Sequence, residues 1–140
     1  SMKIFVAASY SSQVNYETRE VFPEYKQWLE DNLDRLESYG HSVFCALRAD
    51  NYKINDLEPA QAFKLDEAQI QAAEGMLAFV SDTVSAGVQM EVGMAIAQGK
   101  KVVIAHAKDH ELAYFNKAVV SLEQASEAAL PLTSDPFSVE

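Results

Sequence analysis

The chain has 140 residues, 49% of them apolar and 23% charged, with a formal net charge of −10. That length fits one domain with a sizeable core, and the acidic balance argues against a nucleic-acid duplex or an anionic membrane surface as partner. The single cysteine, Cys45, excludes an internal disulfide and fits a reducing compartment. With no signal-like apolar segment and no apolar run of the ~18 residues a membrane helix needs, a cytoplasmic protein is expected.

KIFVAAS (Lys3 to Ser9) has the β-rich apolar pattern of a buried strand. A polar connection, YSSQVNYETRE, follows. From Pro23 a helix is expected, with Tyr25, Leu29, Leu33 and Leu36 on one face, Trp28 widening the stripe and Gly40 as the stop. HSVFCAL (His41 to Leu47) reads as the second strand. After a polar loop, a helix over Pro59 to Ala73 turns Phe63, Ile70 and Ala73 inward. GMLAFVS (Gly75 to Ser81) reads as the third strand, Gly87 to Gln98 as a helix stopped by Gly99, and KVVIAHA (Lys101 to Ala107) as the fourth strand. AVVSL (Ala118 to Leu122) is expected as a weaker fifth strand and EQASEAAL as a short helix, with residues 131–140 a mobile tail.

Strands alternating with helices of this length imply βαβ units and a parallel sheet. Ligands of such sheets sit beyond the carboxyl ends of the strands. That rule selects Ser9, Tyr10, Ser11 and Ser12 after the first strand, Arg48, Asp50 and Asn51 after the second, and Ser81, Asp82, Ser85 and Gly87 after the third. Glu91, early in the next helix, belongs to the same rim.

Glu91 sits among Met90, Val92 and Met94, close to a helix N-terminus whose partial positive charge favours a carboxylate. An ionised carboxylate in a dry pocket is a candidate nucleophile. Glutamates are also common in first helical turns for dipole reasons alone, and Asp66 on an amphipathic helix can simply face water, so spacing leaves both readings open. Together the two acids suit a glycosyl-transferring site, one attacking and the other managing the proton.

VSAGVQMEVGMAIAQGKKVVI resembles the signature of the nucleoside 2-deoxyribosyltransferase superfamily, Gly-x-x-x-Glu-x-Gly-x-Ala followed by Gly-Lys and a strand. MKIFVAAS resembles its opening strand, and DEAQIQAAEGMLAFVS its aspartate helix and third strand. The resemblance implies an α/β fold, a single-domain Rossmann- or flavodoxin-like three-layer sandwich around a five-stranded, mainly parallel sheet, over residues 1–130. It implies that Glu91 is the nucleophile that attacks the anomeric carbon and that Asp66 assists departure of the base. Ser85 falls where transferases carry an aspartate and monophosphate hydrolases a serine. A carboxylate there would repel a phosphate dianion, whereas a hydroxyl beside free helix amides would accept one.

Two positions depart from the family pattern. Phe5 stands where a tyrosine hydroxyl usually touches the nucleophile, which leaves discrimination at the 2′-position open. The first loop, SYSSQ, brings Ser9, Tyr10 and Ser11 as hydrogen-bond donors in place of arginine and glycines, so Arg19 or Arg48 is expected to supply positive charge. Gly87 and Asn116 complete the expected substrate-binding set, and relatives of this kind assemble as homodimers or larger homo-oligomers in which a neighbour completes the site. The implied reaction is hydrolysis of the N-glycosidic bond of a nucleoside 5′-monophosphate by retaining double displacement. Base exchange between deoxynucleosides and a non-catalytic nucleotide sensor are the alternatives. No cofactor is expected. His41, His106 and His110 show no metal-ligand spacing with Cys45, and VAASYSS lacks the GxGxxG dinucleotide fingerprint.

Overall fold

Alternation of apolar side chains builds a sheet covered on both sides. Along β1 (Lys3–Ala7), Ile4 and Val6 face one core and Phe5 and Ala7 the other, and all four are buried. The computed structural model describes residues 1–138. β1 is followed by a small antiparallel hairpin, β2 (Val14–Asn15) and β3 (Glu20–Val21), then α1 (Pro23–Ser38), β4 (Ser42–Phe44) and the short α2 (Ala46–Ala49). Next come α3 (Pro59–Ala72), β5 (Gly75–Phe79), α4 (Ala86–Ala97), β6 (Lys101–Ala107), α5 (Tyr114–Val120) and β7 (Ala125–Leu130). Five strands form one sheet in the order β4-β1-β5-β6-β7, every neighbouring pair parallel.

The order reverses direction between β1 and β5, so helices fall on both faces. Leu29, Leu33 and Leu36 of α1 pack on Ile4, Val6, Leu77 and Val103. Ile70 of α3 and Val88, Val92 and Ala95 of α4 pack on Phe5, Ala7, Met76 and Ile104. The three layers and the parallel sheet agree with the expected fold class. Gly40 (φ 94°) and Gly99 (φ 73°) follow the ends of α1 and α4 in the left-handed conformation that stops a helix. A Cβ at Gly75 would lie 3.0 Å from Met2 and Phe137 side-chain atoms and 3.2 Å from the Lys101 carbonyl, so only glycine fits there.

Several expectations are corrected. The segment expected as a fifth strand, Ala118–Leu122, belongs to α5 and its end: Asn116, Val119 and Val120 turn inward at helical spacing. The segment expected as a short helix carries β7 instead. Its alanines and glutamate favour helix by intrinsic propensity, but pairing along the whole of β6 from Val102 to Ala107 outweighs that preference. The second strand is shorter than expected, because Cys45 to Leu47 turn into α2. Phe63 is 40% exposed, and α3 meets the core through Ile70 and the following Ala73.

The stretch from Pro131, expected as mobile, is fastened through residue 138; Val139 and Glu140 lie outside the described residues. Leu132 and Phe137 are buried in the α1-side core. Arg35 donates to the Leu132 carbonyl at 2.7 Å, and the His41 ring, which accepts the Met2 amide at Nδ1, contacts Asp135 through Nε2 at 2.9 Å. Phe137→Ala is therefore expected to lower the unfolding free energy by about 3–5 kcal/mol in urea titrations, whereas an unattached tail would lose nothing.

Candidate active site

All five strands end at one rim, and on the α3–α4 side that rim opens into a cleft of about 580 Å³. Two helices deliver its carboxyl groups. On α3, Asp66 lies one turn before the buried Ile70 and so shares its inward face. On α4, Glu91 follows the buried Val88 by three residues and precedes the buried Ala95 by four. The apolar stripe that seats each helix therefore aims its acid into the cleft.

The two carboxyls meet and hydrogen-bond to each other. Burial, then the negative charge of Asp66, then the hydrogen bond to Asp66 push the Glu91 carboxyl up to about 8, against an ordinary value of 4.5. Burial also raises half-buried Asp66, and the charge of Asp50 adds to this, while the bond to Glu91 works in the opposite direction. Burial and mutual charge thus favour one proton shared between the two carboxyls near neutral pH. Phe5 and Phe44, with ring centroids 5.7 Å apart, line the cleft with apolar surface. Phe5 offers Glu91 no hydroxyl, which leaves Asp66 as the hydrogen-bonding neighbour that shifts its titration.

Ser85 is the N-cap of α4, and its Oγ accepts the Val88 amide at 3.3 Å. The Ala86 and Gly87 amides precede the first intrahelical bond, from the Gln89 amide to the Ser85 carbonyl. Ser85 and Gly87 line the cleft, as do Tyr10 and Ser11. A Cβ at Gly87 would meet only Ser85 Oγ, at 4.0 Å, so packing does not demand this glycine.

Four expected binding residues lie elsewhere. Arg48 does not line the cleft. Its guanidinium turns onto α1, where Glu30 and Glu37 accept at 3.0 Å and Asp34 at 3.5 Å, and these acids raise it further above its ordinary range. A ladder of carboxylates on one helix face outcompetes an empty cleft for a guanidinium. Arg19 pairs with Asp56. Ser9 lines two neighbouring depressions, and Asn116 one of them, a hollow of about 450 Å³ that shares Ser85 and Val88 with the cleft. Asn55 and Gln69 line the cleft without having been singled out for it, and Asp50, which the strand-end rule selected, lines it too. Asp50 and Asn55 are held together by a 2.9 Å bond between their side chains, and their position follows from α2, which no sequence period announces. A larger cavity, about 770 Å³, lies against α1, but Asp66 and Glu91 do not line it.

The sequence model for nucleoside 2-deoxyribosyltransferase matches residues 19–130. The chain belongs to this family. Its structure is similar to that of the Clostridium botulinum CMP N-glycosidase BcmB, 25% identical, over 91% of this chain and 87% of that one, with a TM-score of 0.67. BlsM, 20% identical, aligns over 92% of this chain and 80% of its own with a TM-score of 0.73. The 2-deoxyribosyltransferase of Bacillus psychrosaccharolyticus, 21% identical, aligns over 79% and 77% with a TM-score of 0.57. These last two likenesses show the shared fold. No curated protein sequence matches the chain. The chain is thus a nucleoside-processing enzyme, of the N-glycosidase or deoxyribosyltransferase kind. Among the described residues no helix is long and apolar enough to cross a membrane.

The raised Glu91 carboxyl makes stability depend on pH. Its folded value lies above its unfolded one, so between about 4.5 and about 8 the folded state binds more protons and unfolding free energy falls as pH rises. Glu91→Gln is expected to remove this slope and to be more stable than the parent above pH 8, by on the order of 4 kcal/mol. Urea titrations at pH 5 and pH 8.5 measure it, and an unchanged slope in the variant would assign the titration to another group.

Proposed function

We propose that the chain hydrolyses the N-glycosidic bond of a nucleoside 5′-monophosphate, deoxyribo- or ribo-, by retaining double displacement, releasing free base and sugar 5-phosphate. The observation that carries this reading is the Asp66–Glu91 pair: two carboxyls in contact, half-buried or deeper, holding one proton between them. Retaining glycosyl transfer needs that proton count, one carboxylate to attack and one acid to protonate the departing group.

In the free protein the two carboxyls share the proton. Substrate entry moves it to Asp66, and the freed Glu91 oxygen attacks C1′ as the C1′–N bond breaks. The base leaves with the proton from Asp66. Water then attacks C1′ of the glycosyl ester, giving a proton to Asp66 and restoring the Glu91 carboxylate, so the cycle ends with one proton on the pair as it began. Phe5 and Phe44 supply apolar wall for a planar base. Ser85, with the free amides of the first turn of α4, suits the phosphate end.

One observation favours base exchange on unphosphorylated nucleosides as a second reading. The cleft walls carry three carboxyl groups, Asp50, Asp66 and Glu91, and no lysine or arginine. A base retained in the vacated pocket would then replace water as acceptor. A homo-oligomer in the cytoplasm accompanies either reading. Tyr114 and Phe115, 80% and 74% exposed beside buried Asn116, are the aromatic surface a second copy would cover.

Incubation with nucleosides and nucleoside 5′-monophosphates, scored for free base, separates the readings. Release from monophosphates without an acceptor base is expected, with a loss of at least about 10³-fold in Glu91→Ala. Turnover that requires a second base would establish the transferase, and ligand-induced thermal shifts with no turnover would establish a sensor. The pH profile carries its own test. Because the active pair needs its proton, kcat/KM is expected to fall above about pH 8. A rise through the same pH would mean that the doubly ionised pair is the active form.

A further inference from the structure

Resting on the monophosphate reading, the structure leaves open where a phosphate finds positive charge in a chain of net charge −10. The catalytic cleft has three acids and no cation in its walls, and Arg48 and Arg19 are both engaged by carboxylates elsewhere. The larger cavity against α1 is lined by Asp31, Asp82, Asp109 and Glu111 together with Arg35, which donates to the Leu132 carbonyl, and His110, which also borders the 450 Å³ hollow next to the cleft. That hollow differs from both the cleft and the larger cavity. Among the described residues its walls hold no aspartate, glutamate, lysine or arginine, and their only basic side chain is His110.

We infer that His110 is the specificity residue for the 5′-phosphate, which passes over Ser85 out of the cleft and into this hollow. Ser85 and Val88 line both spaces, and Val88 shares the inward face of α4 with Glu91, so a sugar at Glu91 has its 5′ end near the hollow. The hollow offers neutral donors to an anion: the hydroxyls of Ser81, Thr83 and Ser85 and the amide of Gln89. Asn116, 4% exposed, also lines the hollow, and its Oδ1, an acceptor, has no partner among the described residues.

The His110 ring is held for this task. Its side chain is 8% exposed, and Nδ1 lies 2.9 Å from Asp82 Oδ1, an arrangement in which Nδ1–H donates and the carboxylate accepts. Nε2 is then the nitrogen left for a ligand. Asp82 itself is 98% exposed and does not line the hollow, so it orients the ring without placing a negative charge where the phosphate would sit. The remaining charged neighbours, Asp109 and Glu111 on the same loop and His106 with its ring centroid 5.6 Å away, lie outside the hollow's walls.

The test compares cytidine 5′-monophosphate with cytidine. His110→Gln and the gentler Asp82→Asn are assayed for base release, and the same substitutions are placed on Glu91→Ala for calorimetric binding of both compounds without turnover. The expected result for His110→Gln is a roughly tenfold rise in KM and Kd for the monophosphate, with kcat and both cytidine values unchanged, and a smaller rise of the same kind for Asp82→Asn. Equal effects on monophosphate and nucleoside, or none on either, would overturn the assignment. Failure of the hydrolase reading looks different: no base released by the parent protein. In that case the binding arm still decides, because a monophosphate preference in Glu91→Ala that His110→Gln erases supports the phosphate site, and a preference that survives refutes it.

Discussion

Two carboxyl groups that touch in a partly dry place cannot both be ionised at neutral pH, and the rest of the site is arranged around that constraint. Bringing Asp66 and Glu91 together requires α3 and α4 to lie on the same face of the sheet, with their inward stripes in register. The topology supplies this, because β4, β1 and β5 place α3 across β1 and α4 beside it before the chain moves on to β6. Burial of Ile70, Val88, Val92 and Ala95 then holds the acids in contact against their mutual repulsion. The core thus stabilises an electrostatically costly pair, and the retained proton is the form that cost takes.

Charge elsewhere in the chain is sorted in a way that supports the site. α1 carries Glu30, Asp34 and Glu37 along one face, and these capture Arg48 on the outside of the molecule. Partly exposed ion pairs of this kind contribute little stability. Their consequence here is to keep a guanidinium from the rim of the cleft, where it would pull the proton off the pair and leave two carboxylates. On the monophosphate reading, anion binding would draw on neutral donors, a helix N-terminus and one imidazole, which lie toward Ser85.

Much of this was legible in the sequence. Local apolar patterns specified β1, β5, β6, α1 and α4, and the resemblance to a family pattern singled out Glu91, Asp66 and Ser85, which line one cleft. What was not legible depends on contacts between distant residues. β7 is a strand because β6 is beside it, although its own residues favour a helix. α5 reads as a strand because its run of valines is short and has β character. The end of the chain is fixed by His41 and Arg35, residues 94 and 97 positions away from the groups they hold. Arg48 sits at a rim position by the strand-end rule, but its direction is decided by an acidic helix face that the rule does not consider. His110, which no sequence pattern placed at a site, gains meaning from Asp82, which approaches it from the end of a different strand.

Phe5 shows how one side chain sets the terms for the others. Its position on β1 faces the α3–α4 core, and with Phe44 it makes that wall of the cleft apolar. A hydroxyl at this point would hydrogen-bond to an ionised Glu91 and lower its affinity for the proton. With a phenyl ring there instead, burial and Asp66 act unopposed in raising the Glu91 carboxyl. On the proposed reading the same ring leaves the space beside the sugar without a polar group to distinguish a 2′-hydroxyl from hydrogen, so the raised carboxyl and tolerance at the 2′-position would share one origin, and polar discrimination would fall to the other end of the substrate, past Ser85.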